Sequence, residues 1–407
     1  MSGPLDGVRV VDFSVMISGP LAGMLLADLG ASVTKVETPG FGDVMRYLGS
    51  TRGGVSGFFV NTNRGKQSIA LNLKDAAGRE IAHRLVSQAD VLIQNFRPGA
   101  AQRMGIGAAE MCDLNPGLIY VSISGFGDSG PYSNKRVYDN VIQGYSGMAG
   151  VQTNAAGDPT LLRNLVCDKV TAYTVSNAVT AALFARERAR ATGDSSDSGG
   201  GATGGGQQID VSMLDSAVSF LWPDAAMDAC MLEPDTRRAP TLGSYYQATP
   251  LVDGSIAMTM VSDSEFAGFF NAIGKPHLAV DPRFTSAGAR NDNMAALVGE
   301  LAGALDGVNV ADAIERLNAN DVPCAPLLTI DQVPHDPQVI HNGLLVDVAH
   351  PAAGMVRQPR VAPLFSRTPA TIGAPAPMLG QHSAEVLHDA GYTSEEVDQF
   401  FAVGAVA

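Results

Sequence analysis

Cysteine is scarce in this chain, and its few thiols form no recognisable pattern. Only four of the 407 residues are cysteines, at positions 112, 167, 230 and 324, with no CxxC pair and no regular spacing. Neither a disulfide framework nor a zinc site is therefore indicated. The seven histidines also lack the HxxxH spacing of a helical metal site. We predict that the protein binds no metal and that its thiols stay reduced.

Positive charge and long apolar runs are lacking as well. The chain has 27 Lys and Arg residues against 41 Asp and Glu, a formal net charge of −14. Nucleic-acid binding would normally require a basic face, so we predict no nucleic-acid partner. No uncharged apolar run reaches the ~18 residues of a membrane span, and the first residues do not resemble a signal peptide. We expect a cytoplasmic protein that has no membrane partner.

The glycine-rich nucleotide-binding motifs are missing too. Residues 14–23 follow a predicted strand and read SVMISGPLAG, which is not the GxGxxG fingerprint of dinucleotide-binding proteins. Residues 193–206 are rich in Gly and Ser, but no Gly-Lys-Ser/Thr ends the segment, so it is not a phosphate-binding loop. Its composition is that of a flexible linker. A nicotinamide enzyme is therefore disfavoured.

The first half of the chain does contain a pattern of alternating strands and helices. Strand-like runs occupy residues 8–13, 32–37, 68–71, 91–94 and 118–124, and helical runs occupy 21–29 and 78–88. This alternation predicts an α/β fold with a doubly wound, mostly parallel, Rossmann-like sheet. After the Gly/Ser-rich segment the pattern becomes mixed, which predicts a second, smaller α+β domain.

Asp168 is the most informative single residue because it precedes a long helical run rich in Ala and Val. Asp is a favoured N-cap residue, and that interpretation predicts no chemistry. The same position would suit a nucleophilic carboxylate, since backbone N–H groups at a helix start can stabilise an oxyanion. Taken alone, the feature favours the cap. The neighbouring Cys167 is best interpreted as a small buried hydrophobic residue.

A series of short motifs changes this balance. Along the chain they read PLDGVRVVDF (4–13), LLADLGA (25–31), VTKVE (33–37), NFRPG (95–99), SISGFG (122–127), YDN (138–140), Asp168, DPRF (281–284), VPCAP (322–326) and LGQHSAEVL (379–387). In this order the motifs resemble the class III coenzyme A transferases, including formyl-CoA and carnitine CoA-transferases and the related alpha-methylacyl-CoA racemases. The resemblance spans nearly the whole chain.

This resemblance implies a reaction and a set of contacts. Asp168 would be the nucleophile of a CoA-transferase that uses aspartyl anhydride and aspartyl-CoA thioester intermediates. Coenzyme A would be a substrate, with no prosthetic group. The positions that resemble CoA contacts are Leu71, Lys74, Asn95, Phe96, Arg103, Arg136 and Tyr138, of which we favour Asn95, Arg103 and Tyr138.

The resemblance also implies an organisation. The large CoA-binding domain would occupy residues 1–192, followed by the insertion at 193–206, a linker helix at 207–225 and the small domain at 226–325. A return segment at 326–407 would pack its C-terminal helices on the large domain, one of them after the capping box of Thr393 and Glu396. Two such chains would interlock as a homodimer.

Departures from the family pattern bear on the substrate. Ile17 stands where formyl-CoA enzymes carry Gln, Thr38 stands where they carry Arg, and their glycine-rich loop has no counterpart near residues 241–247. A small hydrophilic acyl group is therefore disfavoured. Met16, Ile17 and Tyr245 would instead suit an apolar one.

Two alternatives remain open. Alpha-methylacyl-CoA racemisation needs two acid/base groups, but Tyr138 occupies the racemase His position, and an unperturbed phenol, with a pKa of ~10, is a poor base. A noncatalytic CoA-binding protein is the remote alternative, and it requires Asp168 to be only a cap.

Overall fold

The computed structural model describes residues 3–154, 156–192, 205–238 and 241–407. It divides into two compact units, one made of Met1–Pro223 with Gly343–Ala407 and the other of Asp224–Asn342. The second unit therefore extends beyond the predicted small domain at 226–325. Residues just after that limit stay with it, since the Leu327 N–H donates to the Ser255 carbonyl at 2.9 Å. Most of the predicted insertion, residues 193–204, lies outside the described residues.

A six-stranded parallel sheet forms the centre of the large unit. Its strands are β1 (Arg9–Asp12), β2 (Ser32–Glu37), β3 (Lys66–Ala70), β4 (Val91–Gln94), β5 (Ile119–Ser124) and β6 (Gln207–Ser212). Their order across the sheet is β3-β2-β1-β4-β5-β6, and every neighbouring pair is parallel. This 3-2-1-4-5-6 order is that of a doubly wound fold. The prediction of an α/β fold with a mostly parallel sheet is confirmed.

Strand β6 corrects the prediction of a linker helix at 207–225. Only Met213–Ala225 is helical, and the residues before it pair with β5 in register from Ile119–Gln207 to Ser124–Ser212. Four of the six residues of β6, QQIDVS, are polar, because the strand lies at the edge of the sheet and its first residues are exposed. An exposed edge strand lacks the apolar run by which the buried strands were recognised.

The helices that matter most for the site are α1 (Ser18–Asp28), α2 (Ala76–Ser87), α3 (Asp139–Tyr145), α4 (Val166–Thr192) and α5 (Met213–Ala225). Further helices of the large unit are Gly57–Asn63, Ala100–Arg103, Ala108–Leu114, Met148–Val151 and the 3-10 turn Val44–Tyr47. A short hairpin joins Thr51–Arg52 to Val55–Ser56. No helix in the described ranges is both long and apolar enough to cross a membrane.

Both faces of the sheet are buried. Val11 on one face packs in a cluster with Ile81 of α2 and Leu387 from the end of the chain. Val10 on the opposite face packs with α1 and with Val175 of α4. Strands covered on both faces read as continuous apolar runs, which explains why the sequence revealed β1 and β4.

The C-terminal part of the large unit completes its sheet edge. It contains the hairpin Leu345–His350 with Gly354–Pro359 and the helices Ser383–Asp389 and Ser394–Ala402. The capping box of Thr393 and Glu396 is confirmed. Beyond it, the Asn72 N–H donates to the Ala405 carbonyl at 2.9 Å and the Ala407 N–H donates to the Ala70 carbonyl at 3.1 Å. The last residues thus pair with the chain that leaves β3.

The second unit is an α+β body with its own core. Its antiparallel sheet has the order Cys324–Pro326, Gly254–Met258, Thr249–Leu251. Its helices are Asp263–Ala272, Ala287–Asp292, Met294–Leu301, Val310–Asn318 and Pro337–His341, with 3-10 turns at Leu242–Tyr245, Pro276–Val280 and Val333–His335. Phe269, Phe270 and Phe284 are fully buried at its centre.

Candidate active site

Asp168 lies in the first turn of α4 and not before it. The helix begins at Val166, so the interpretation of Asp168 as the N-cap residue is wrong. Its carboxylate Oδ1 accepts a hydrogen bond from the hydroxyl of Ser18, which lies 150 residues earlier in the sequence. Its backbone N–H donates to Oδ2 of Asp139 at 3.0 Å. The carboxylate is therefore oriented by a group from a different helix.

The surroundings of Asp168 change its acidity. Burial raises the pKa of the Asp168 carboxyl from 3.8 to about 6, the hydrogen bonds from Ser18 oppose this rise, and the negative charge of Asp139 adds to it. A carboxylate with this pKa is mostly ionised at neutral pH yet poorly hydrated. Cys167 differs, because it is fully buried and burial raises the pKa of its thiol to about 12. The thiol is therefore held in its neutral form, as the sequence interpretation expected.

Ser18 is the first residue of α1 and is only 3% exposed. The turn that delivers it contains Met16, which adopts a left-handed backbone conformation with φ of 70°. Left-handed φ is unfavourable for a non-glycine residue and persists only where the surroundings enforce it. Gly19 follows, and a Cβ atom added there would lie 2.3 Å from the side chain of Ser14. Only glycine therefore fits at this position.

Two side chains hold this turn from opposite sides. The Asn95 side chain, just after β4, accepts from the Val15 N–H at 2.8 Å and donates to the Val15 carbonyl at 2.7 Å. Asp43 accepts from the Met16 N–H at 3.2 Å. The carboxyl ends of β1 and β4 meet here, at the point where the strand order reverses, which is where doubly wound folds bind ligands.

A buried ionic layer lies behind the turn. Lys35 donates to the Ser14 carbonyl at 2.9 Å and to Asp43 at 3.1 Å, while Lys66 donates to Asp12 at 2.8 Å. All four charged side chains are fully buried. Burial acts to lower the pKa of Lys35, but the carboxylates of Asp43, Asp12 and Glu37 outweigh it and raise that pKa. Lys35 therefore stays charged, and its bonds to Ser14 and Asp43 fix the backbone that leads to Ser18.

The segment before Asp168 is fixed in a similar way. Gln143 donates to Asp139 at 2.6 Å and to the Leu162 carbonyl at 3.2 Å, and accepts from the Leu162 N–H at 2.9 Å. Asp139 is 3% exposed. Helix α3 thus positions both the loop at 162–165 and the start of α4.

A cavity of about 360 Å³ opens beside Asp168. Its wall is mostly apolar and includes Met16, Ile17, Met45, Leu48, Phe58, Tyr138, Asp139, Asn140, Gln143, Leu162, Arg163, Asn164, Leu165 and Asp168. The structure thus brings together four of the residues singled out in the sequence: Met16, Ile17, Tyr138 and Asp168. Sequence reasoning missed the parts played by Ser18, Asp139, Gln143 and Asp43, because local pattern does not reveal their partners.

The other predicted CoA contacts follow the carboxyl ends of the central strands. Lys74 follows β3 and is exposed, and Leu71 beside it is buried in the core. Phe96 is partly buried and packs on the same core. Arg103 is exposed and its guanidinium lies near Gly99, since a Cβ there would be 2.9 Å from Nη1.

Two further predicted CoA contacts precede α3, and one predicted residue of the acyl pocket lies in the second unit. Arg136 is exposed and Tyr138 is 66% exposed. Tyr245, predicted to line the acyl pocket, belongs to the second unit and is exposed there. Of the seven predicted CoA contacts, six lie on the segments that follow β3, β4 and β5, and Arg103 ends the short helix Ala100–Arg103. Among the described residues, no group of His, Cys, Asp and Glu is arranged to hold a metal ion.

Comparison with known proteins gives a consistent result. The model of CoA-transferase family III matches residues 5–383. The formyl-CoA:oxalate CoA-transferase of Escherichia coli O81 (strain ED1a) is 30% identical, with 98% of each chain covered. The human succinyl-CoA:glutarate CoA-transferase is 30% identical, covering 99% of this chain and 90% of the human protein.

Solved structures agree with the fold. A CaiB/BaiF family protein from Brucella suis has a TM-score of 0.80 at 31% identity and covers 96% of this chain and 100% of its own. The Rv3272 protein of M. tuberculosis has a TM-score of 0.78 at 29% identity, covering 94% of this chain and 98% of its own. The similarity therefore extends through both units.

Proposed function

Because the chain belongs to CoA-transferase family III, we propose that it moves coenzyme A from an acyl-CoA thioester to a free carboxylic acid, with Asp168 as the nucleophile. Relatives named for CoA transfer, at about 30% identity over nearly the full chain, support the reaction type. The choice of Asp168 as nucleophile is supported by the position of its carboxylate, which lies in the wall of a cavity and is oriented by Ser18.

The proposed cycle has four steps. Oδ2 of Asp168 attacks the thioester carbonyl of the donor and expels CoA thiolate, which leaves an aspartyl acyl anhydride. The thiolate attacks Cγ of Asp168, breaks the Cγ–Oδ2 bond and frees the donor acid, so that an Asp168–CoA thioester remains. The acceptor carboxylate then attacks Cγ and expels the thiolate, which leaves a second anhydride between Asp168 and the acceptor. The thiolate attacks the acceptor carbonyl of this anhydride, breaks its bond to the bridging oxygen, and so forms the new acyl-CoA and releases the Asp168 carboxylate. Covalent catalysis divides a difficult exchange into easier steps.

The surroundings of the carboxylate suit this chemistry. An anhydride hydrolyses if water reaches it, and the apolar wall formed by Met16, Ile17, Leu162 and Leu165 limits water. A pKa of about 6 leaves Asp168 ionised at neutral pH, and desolvation makes it a better nucleophile than a fully hydrated carboxylate.

The same wall supports a proposal for the acyl group. Met45, Leu48 and Phe58 extend the apolar surface formed by Met16 and Ile17, and Arg163 is the cationic residue in the wall. We infer an acyl group with an apolar body. The role of Tyr245 stays a prediction from the sequence.

Coenzyme A itself is proposed to lie along the edge formed by the strand ends. Lys74, Arg103 and Arg136 are exposed cations that suit its phosphates. Asn95 retains one N–H and one lone pair after its two bonds to Val15, enough for a further contact. Leu71, Phe96 and Tyr138 complete the proposed set. No prosthetic group is needed.

We also propose a homodimer, the assembly implied by the family resemblance, and a cytoplasmic location. Exposed aromatic side chains support the dimer: Tyr173 and Phe184 on α4 and Phe220 and Trp222 on α5, of which Phe184 is 69% exposed. Apolar surface of this kind commonly marks a protein interface. Sedimentation equilibrium tests the dimer, and a monomer at micromolar concentration would contradict it.

A product screen tests the function. The protein is incubated in deuterated water with pooled acyl-CoA thioesters and pooled carboxylic acids, and the products are analysed by mass spectrometry. We expect new acyl-CoA species that disappear in Asp168→Asn and persist in Asp398→Asn, a control at an exposed aspartate of the last helix. Deuterium at the α-carbon without acyl exchange would support racemisation instead, and unchanged exchange in Asp168→Asn would remove Asp168 from the mechanism.

A further inference from the structure

The contact between Ser18 and Asp168 distinguishes the two carboxylate oxygens. The Ser18 hydroxyl donates to Oδ1 of Asp168. Ser18 begins an eleven-residue helix whose first N–H groups have no partner within that helix. Oδ1 is therefore held by a hydroxyl at a helix start.

The proposed cycle treats these oxygens differently. The oxygen that attacks the donor thioester leaves with the donor acid, and an oxygen of the acceptor acid replaces it. The other oxygen stays on Cγ through every step and is the carbonyl oxygen of both covalent intermediates. When thiolate or acceptor carboxylate attacks Cγ, the negative charge develops on that retained oxygen.

We propose that Ser18 is a catalytic residue whose hydroxyl fixes Oδ1 of Asp168 as the retained carbonyl oxygen and stabilises the oxyanion when Cγ is attacked. The proposal rests on the aspartyl route described above. It adds an asymmetry that this route alone does not require, since either oxygen of a freely rotating carboxylate could attack.

The position of Ser18 is preorganised for this task. Asp43 and Asn95 bind the backbone at Met16 and Val15, and Lys35 anchors Ser14. Donors held in place before the reaction stabilise an oxyanion without reorganising, and the loss of one such donor commonly costs about 100–1,000-fold in kcat. A purely structural role for this buried hydroxyl would instead affect stability and leave the fate of the oxygens unchanged.

The test follows oxygen isotopes in the protein. The probe is the donor and acceptor pair from the product screen, beginning with succinyl-CoA and glutarate. The acceptor acid carries 18O at every carboxylate oxygen. After equal numbers of turnovers, the peptide that contains Asp168 is analysed by mass spectrometry. We expect one heavy oxygen in the parent protein, because Oδ1 is retained, and two in Ser18→Ala, because the carboxylate can rotate between turnovers.

Kinetics provide the second readout. We expect kcat to fall about 100–1,000-fold in Ser18→Ala. Ser18→Thr keeps the hydroxyl and should retain single labelling. Ser216→Ala is the matched control, because it removes another buried serine hydroxyl, one that donates to the Ser212 carbonyl at 2.9 Å. If the alanine variant does not fold, Ser18→Cys replaces it, because the thiol has a similar volume but is a weak donor. We expect double labelling and a lower kcat in this variant too.

The outcomes separate the two proposals. Single labelling in Ser18→Ala, or a kcat within threefold of the parent, would overturn the role of Ser18 and leave the aspartyl route intact. An absence of heavy oxygen in the parent during active turnover would overturn the aspartyl route itself.

Discussion

The carboxylate of Asp168 should destabilise the folded protein at neutral pH. Its pKa rises from 3.8 to about 6 in the folded state, chiefly because of burial. The folded state thus binds the proton more tightly, and this stabilising effect is complete below pH 3.8 and is lost as the pH rises through about 6. At about 1.4 kcal/mol for each pKa unit, the ionised group costs about 3 kcal/mol.

Asp168→Asn removes this cost while keeping the shape of the side chain. We expect the variant to have a free energy of unfolding about 2–3 kcal/mol larger than the parent at pH 8, and about half of that advantage at pH 5. For the large unit of about 290 residues, 3 kcal/mol corresponds to a rise in Tm of about 5 °C.

Thermal unfolding of the substrate-free protein at several pH values measures this effect. Asp398→Asn should change the stability by less than about 0.5 kcal/mol at every pH, since its side chain is exposed. If Asp168→Asn were instead less stable than the parent at pH 8 by about 0.5–1 kcal/mol, the carboxylate would be acting on the dipole of α4, and the argument from desolvation would be refuted.

Three further outcomes are expected. The value of kcat/KM should increase as the pH rises through about 6 and level off above, since Asp168 must be ionised to attack, and a flat profile down to pH 5 would contradict this. Asp43→Ala leaves Lys35 buried without its main partner and should lower the free energy of unfolding by about 3–5 kcal/mol in denaturant titrations, where a loss below about 1 kcal/mol would contradict the buried pair. Gly19→Ala places a Cβ on Ser14, so transferase activity should fall at least tenfold with the far-UV spectrum unchanged, whereas full activity would show that the turn can shift.

Much of the fold could be predicted because the central strands are buried on both faces. Residues 91–94 were predicted as a strand and are one, since VLIQ lies in the middle of the sheet. Strand β6 was missed because it lies at the edge and four of its six residues are polar. Burial produces the apolar signal, and an edge strand produces little of it.

The site was predicted less completely. Asp168 was found through motif order, whereas its cap interpretation failed because the helix starts two residues earlier. Ser18 could not be connected with Asp168, because 150 residues separate them and the contact exists only once α1 and α4 pack together. Lys35 and Asp43 looked like ordinary charged residues in the sequence, and only their complete burial reveals their part in the site. The predicted CoA contacts stay predictions.

The order in which this chain leaves the ribosome has a consequence for its biosynthesis. The sheet edge at β3 is completed by residues near Ala407, roughly 180 residues after the first part of the large unit has been made. At typical synthesis rates of about 5–20 residues per second, that edge stays without its partner for about 10–40 s. The second unit is continuous in sequence and can fold during this interval. Nascent chains should therefore acquire a protease-resistant second unit before the edge at β3 is complete.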